Sequence, residues 1–234
     1  MTALVGDPDF WIGLLKIIWI NIVLSGDNAV VIAMAARSLH PDDQRRAIAW
    51  GSGAAVVLRI ALTVVAVQLL ALPMLQIIGG LLLVWIAVQL LDQDAEGEEE
   101  ATTHHNLYAA VRTILLADVV MSLDNVIGVA AAAKGNLVLL GFGLALSIPL
   151  VVFGSSLMIH LMNRFPIIVT LGAALIGWVA GETLISDVMW ADARVHWHGW
   201  HWLVPALFAS GVLLWGRWRQ ARQAATAPVG EDAG

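Results

Sequence analysis

The sequence predicts an all-α, polytopic membrane protein with seven transmembrane helices. Six form an inverted repeat of three plus three helices, and one extra C-terminal helix follows. Three observations carry that reading. The chain of 234 residues is 59% hydrophobic and only 13% charged, with a mean hydropathy of +0.81. Seven stretches, at about 10–35, 48–72, 74–91, 107–133, 137–161, 167–185 and 202–218, supply the roughly 20 apolar residues that a helix needs to cross a bilayer. A polar motif recurs inside two of them, 97 positions apart.

Taken in order, residues 1–91 form the first three-helix repeat. Its start carries Asp7 and Asp9 in place of a basic leader, and the first apolar run continues past any cleavage site, so it reads as a retained helix. Residues 92–106 form an acidic linker holding Asp92, Asp94, Glu96 and Glu98 to Glu100 and ending in His104-His105. It reads as a solvated connection; a weak cation-collecting surface is the sharper alternative. Residues 107–185 form the second repeat, 186–201 a loop rich in His and Trp, 202–218 the seventh helix and 219–234 a tail. The loop's His196-Trp-His198-Gly-Trp-His201-Trp run reads as an interfacial aromatic belt in preference to a metal site.

Loop charge sets the orientation. With the N-terminus outside, the inner side collects Arg37, Arg45, Arg46, Arg164, Arg217, Arg219 and Arg222, whereas the outer side holds Lys134 and Arg194. The expectation is a multi-pass membrane protein with N-out and C-in termini, embedded in lipid and compatible with homo-oligomers. The absence of cysteine excludes disulfides and thiolate ligands. The net charge of −6 mostly reflects the acidic linker, and nothing resembles a nucleic-acid-binding patch.

The repeat extends beyond the motif. Aligning Asn21–Ser38 with Asp118–Gly135 matches Val23, Ser25, Asp27, Asn28, Ala33, Ala35 and Ala36, and sets Arg37 opposite Lys134. Each following helix begins Gly-x-Gly, at Gly51/Gly53 and Gly141/Gly143. In the third helices Gly79, Leu82, Trp85, Ala87 and Leu91 fall opposite Gly172, Leu175, Trp178, Ala180 and Leu184, with Gln89 opposite Glu182. Three helices per copy is an odd number, so the second copy enters the membrane from the opposite side, an arrangement common in secondary transporters.

The motif's chemistry is oxygen-only. A carboxylate deep in hydrocarbon costs about 2.5–3.5 kcal/mol even on lenient scales, so it usually faces a protein cavity and marks an ion or proton path. Asn21, Ser25 and Asn28 share one helical face, and Asp118, Ser122 and Asn125 repeat it. Asp27 and Asp124 lie about 100° from the adjacent Asn on an ideal helix. A local break would bring both groups together, and Gly26 favours one in the first copy, whereas Leu123 replaces that glycine in the second. We assign Asp27, Asp124 and Asp118 as metal ligands, supported by Asn28, Asn125, Asn21, Ser25 and Ser122. Such donors suit Mn²⁺, Mg²⁺ or Ca²⁺ better than Zn²⁺ or Cu⁺. Carboxylates that lose a metal can take up protons, which gives a route to exchange. The metal is the transported substrate; no cofactor is implied. Arg59 reads as a partner that neutralises an aspartate in the empty site, and Glu182 as an exit ligand. Lys16 reads equally as an interfacial charge or a counter-ion.

At these residues the chain resembles the TerC family of bacterial integral membrane proteins. Leu24-Ser-Gly-Asp-Asn-Ala29-Val-Val-Ile-Ala33 and Met121-Ser-Leu-Asp-Asn125-Val look like its two signature stretches, and the resemblance covers roughly residues 8–216. It is to the short seven-helix form. The resemblance implies a cation exporter, foremost for manganese, in the broader group that includes the lysine exporters, with Asp27 and Asp124 as the metal residues. Competing readings are an intramembrane aspartyl protease, an exporter of amino acids or other small solutes, and an accessory subunit without transport. The protease reading has Ser-Gly-Asp27 and Pro205-Ala206-Leu207 in its favour, but its two aspartate motifs should differ, and here they are alike. We therefore expect a carrier and not an enzyme.

Overall fold

The computed structural model describes residues 11–12, 14–19, 26–95, 107–133, 137–191 and 199–226, and among these every regular element is helical. After helical residues 14–19 come α1 (Gly26–Arg37), α2 (Pro41–Leu70), α3 (Leu75–Ala95), α4 (Leu107–Ala133), α5 (Leu137–Arg164) and α6 (Ile167–Ser186). A 3₁₀ turn (Val188–Trp190) and α7 (Trp200–Thr226) follow. Among the described residues four segments are long and apolar enough to cross a bilayer: Pro41–Val65, Leu75–Asp92, Val138–Arg164 and Ile167–Ser186. The chain is a multi-pass helical membrane protein.

Two helices outrun the apolar stretches that announced them. Helix α2 starts at Pro41, seven residues before its apolar run, because Pro fits the first turn and Asp42 and Asp43 meet the positive end of the helix dipole. Helix α7 continues to Thr226, where the Arg222 guanidinium lies 3.9 Å over the Trp218 ring. Arg219 reaches Asp92 of α3 at 3.4 Å. Polar helical turns of this kind are invisible to a hydropathy criterion.

Helix α1 is the hub. Every residue from Asn28 to Ala36 is buried, so the helix is enclosed on all sides. It packs against α2, α4, α5 and α6. Around it α2 lies along α4 and α3 along α6, which in turn carries α7. The α2–α4 pair is parallel: Gly51 abuts Ile114, while Arg59, two turns on, reaches Asp118 and Ser122. The segment before and including α1 runs parallel to α5, with Gly143 against Ile17 and Gly154 against Ala29. Large apolar side chains such as Val57, Val64, Phe153 and Leu157 point outward, as lipid-facing positions of a bundle do.

Close helix approach rests on absent side chains. A Cβ on Gly80 of α3 would stand 2.6 Å from the Ala180 carbonyl oxygen, and one on Gly181 of α6 would stand 2.6 Å from Pro205 Cα of α7. Backbone atoms cannot step aside, so these glycines set the α3–α6–α7 spacing, as small residues do in membrane bundles. Gly181→Ala should cost about 1–3 kcal/mol through overpacking. Gly141→Ala, whose Cβ meets nothing within 4 Å, should be neutral or stabilising by up to about 1 kcal/mol. Thermal unfolding in detergent separates the two.

Asp187 joins the end of α6 to the start of α3. It is 1% exposed. One carboxylate oxygen accepts from the N–H groups of Met74 (3.1 Å) and Met189 (3.0 Å), the other from Gln76 (3.1 Å) and Ile77 (3.4 Å). The bond to Met74 holds that residue at φ 68°, a left-handed conformation that costs a non-glycine residue about 1–2 kcal/mol. Burial works to raise the carboxyl's pKa, but the backbone N–H bonds together outweigh it and hold the value below the ordinary carboxylate range. A depressed folded value means the clamp is at full strength above the unfolded pKa near 4 and is lost as pH falls through the folded one. Asp187→Asn should therefore cost about 1.5–3 kcal/mol at neutral pH. Measured by detergent melts, the gap to the native protein should close below about pH 4.

Candidate functional site

The buried charges of the core converge from three helices. Asp118 and Ser122, at i and i+4 on α4, share a face and point at α2. Arg59 lies in the middle of α2 and is 6% exposed, against 7% for Asp118 and 0% for Ser122. Its Nε donates to Ser122 Oγ at 2.9 Å and its Nη2 to Asp118 Oδ1. Ser122 Oγ donates to Asp118 Oδ2 at 3.2 Å, so the three side chains form a closed ring of hydrogen bonds. Thr63 Oγ1 turns back to the Arg59 carbonyl at 2.7 Å.

Helix α1 supplies the second carboxylate. Asp27 occupies its first turn, where the helix dipole favours negative charge, and Asp27 Oδ1 accepts from the Asn28 N–H at 2.8 Å. Asp27 is half-buried, and both Arg59 and Asp118 act on it electrostatically. Among the described residues, these two carboxylates and one guanidinium sum to one net negative charge when all are ionised. Such a group attracts cations, and its low-dielectric setting strengthens the attraction.

The other expected residues fall as follows. Asn28 is buried, and Asn125 is half-buried on the same α4 stripe as Asp118 and Ser122. Asn21 and Ser25 lie outside the described residues, as does the side chain of Asp124; the α4 backbone runs as unbroken helix through Leu123, Asp124 and Asn125. Glu182 is exposed and accepts the Trp178 indole N–H at 2.8 Å, and Lys16 is exposed on the segment before α1. His196 and His198 lie outside the described residues, and His201 is exposed in the first turn of α7. Among the described residues no group of three or more His, Cys, Asp or Glu gathers as a metal centre.

Ser155 was not singled out from sequence. It is fully buried on α5, next to the Gly154 that faces Ala29, and its Oγ has no hydrogen-bond partner among the described residues. A Ser-Ser pair inside an apolar helix was the available signal. Ser156 was the residue that turned its hydroxyl back to the helix, to the Val152 carbonyl at 2.8 Å.

A buried ion pair is costly to break and cheap to replace whole. Arg59→Met should destabilise the protein by about 3–5 kcal/mol by stranding Asp118. Arg59→Met with Asp118→Leu should recover most of that loss, as read from detergent melts of the two variants.

Comparison with known proteins agrees with this picture of a membrane bundle. Residues 6–224 match the profile described as "Integral membrane protein TerC family". Over 181 residues the chain is 43% identical to the "Uncharacterized membrane protein YjbE" of Bacillus subtilis, covering 77% of this chain and 83% of that one. It is 26% identical over 204 residues to the "UPF0053 inner membrane protein YgdQ" of Escherichia coli, covering 80% and 85%. No solved structure matches the chain.

Proposed function

The chain belongs to the TerC family of integral membrane proteins, and from that premise we propose that it exports divalent metal cations, foremost Mn²⁺, in exchange for protons. It is a carrier and not an enzyme, with seven transmembrane helices, an N-out and C-in orientation, and a place in the inner membrane like the one YgdQ's name gives that relative. The observation that carries the reading is the buried Arg59–Asp118 pair, with half-buried Asp27 on a helix packed against both of theirs and within electrostatic reach of the two charges. An intramembrane cluster of that kind marks an ion path.

The packing supports the inverted repeat. If α1, α2 and α3 correspond to α4, α5 and α6, a two-fold axis in the membrane plane turns the parallel α2–α4 pair into the parallel α5–α1 pair. It also maps the antiparallel α3–α6 pair onto itself. Those are the pairings around the hub. Substrate sites of such carriers lie at the midplane where the halves meet, and the signature aspartates Asp27 and Asp124 belong to opposite halves.

In this site Asp27, Asp124 and Asp118 are the charged ligands, and Asn28, Asn125, Asn21, Ser25 and Ser122 complete an oxygen shell suited to a hard cation. Uptake of Mn²⁺, Fe²⁺ and Ca²⁺ into inside-out vesicles, with and without a pH gradient, tests the proposal. Mn²⁺ uptake should exceed that of control vesicles and respond to the gradient, and Asp27→Asn or Asp124→Asn should lower it at least ten-fold while insertion is unchanged. Native-level uptake by Asp27→Asn would overturn the site, and no uptake by the native protein would overturn the function.

A further inference from the structure

The Arg59–Asp118 pair breaks the symmetry of the site in a way that assigns it a task. In the alignment of the two motifs Asp118 falls opposite Asn21, and by the register of Gly51/Gly53 with Gly141/Gly143, Arg59 falls opposite Pro149. Both members of the ion pair are thus neutral in the other half. Ser122 keeps its counterpart Ser25, and Asp124 keeps Asp27. The pair is present in one half only, beside an otherwise matched set of polar residues. A merely structural strut could have been apolar at no loss of stability. An arginine that also acts electrostatically on Asp27 does more than brace α2 against α4.

We infer that Arg59 is a tethered counter-cation that competes with the divalent substrate for the Asp118 carboxylate. The structure pairs the guanidinium with Asp118 and Ser122, and in this scheme that pairing is the resting one. When a divalent cation arrives at Asp27 and its partners, Asp118 turns to the metal and Arg59 is released from that carboxylate. When the guanidinium returns, it takes Asp118 back from the metal and favours release. The inference rests on the export reading above and makes Arg59 a positioning residue that trades affinity for turnover.

The two members of the pair then have opposite effects on substrate affinity. In Mn²⁺ uptake by inside-out vesicles, Arg59→Gln should lower KM at least ten-fold and lower kcat as well, because the competitor is gone. Arg59→Lys keeps the charge but cannot hold Ser122 and Asp118 with a planar fork. It keeps a positive charge beside Asp118, so it supplies the folded readout should Arg59→Gln fail to fold, and it should lower KM several-fold. Asp118→Asn should raise KM ten-fold or more. Vesicle loading normalised to folded protein by gel filtration removes any effect of stability, which a purely structural pair would show without a shift in KM. An unchanged or raised KM in Arg59→Lys, or a lowered KM in Asp118→Asn, would overturn the competition. Absence of Asp27-dependent Mn²⁺ uptake by the native protein would instead overturn the export reading on which it stands.

Discussion

The buried guanidinium of Arg59 and its two fixed partners, Asp118 and Ser122, are the constraint around which the core is arranged. Neither charge is tolerable alone in a low-dielectric interior, so α2 and α4 must lie side by side in parallel and in the register that lets Nε and Nη2 reach both acceptors. Once that register is set, Gly51 meets Ile114 one stretch earlier along the same pair, where a larger residue would have to displace the Ile114 side chain. Electrostatics and packing therefore specify a single α2–α4 arrangement.

That arrangement leaves a space filled by α1. A helix of small and β-branched residues such as Ala29-Val-Val-Ile-Ala33 can be surrounded on every side because no residue from Ala29 to Ala36 is polar. The first turn is where Asp27 sits, with its carboxylate on a backbone N–H and within electrostatic reach of the charges of α2 and α4. On the far side, the α3–α6 pair is locked by different means: glycines that admit backbone contact, and a carboxylate that caps the start of α3.

Much of this was legible in the sequence because hydrocarbon is an unforgiving solvent. Apolar runs located helices from α2 to α7, and the 107–133 stretch coincides with α4. The cost of intramembrane charge drew attention to Asp27, Asp118 and Arg59 without any knowledge of their positions in space. Illegible were the features whose energetics are not hydropathic. The polar first turn of α2 is helical through Pro41 and the helix dipole and the arginine-bearing end of α7 carries a cation–π contact, and Asp187 reads from sequence as one more loop acid. Glu182 was expected as an exit ligand and Lys16 as an interfacial charge or a counter-ion. Both are exposed, and Glu182 takes up a neighbouring indole.

What the sequence determined by itself is the helical membrane class, the repeated motif and the identity of the residues that are expensive to bury. All three follow from local composition and spacing, because each residue's transfer cost and each helix's period are properties of the chain alone. Tertiary structure decided which of those residues meet. Arg59 lies 59 positions from Asp118 and 32 from Asp27, and no periodicity links helices that far apart. Their encounter depends on which helix faces pack and in what direction, which is fixed only when close-packed side chains and paired charges are satisfied together.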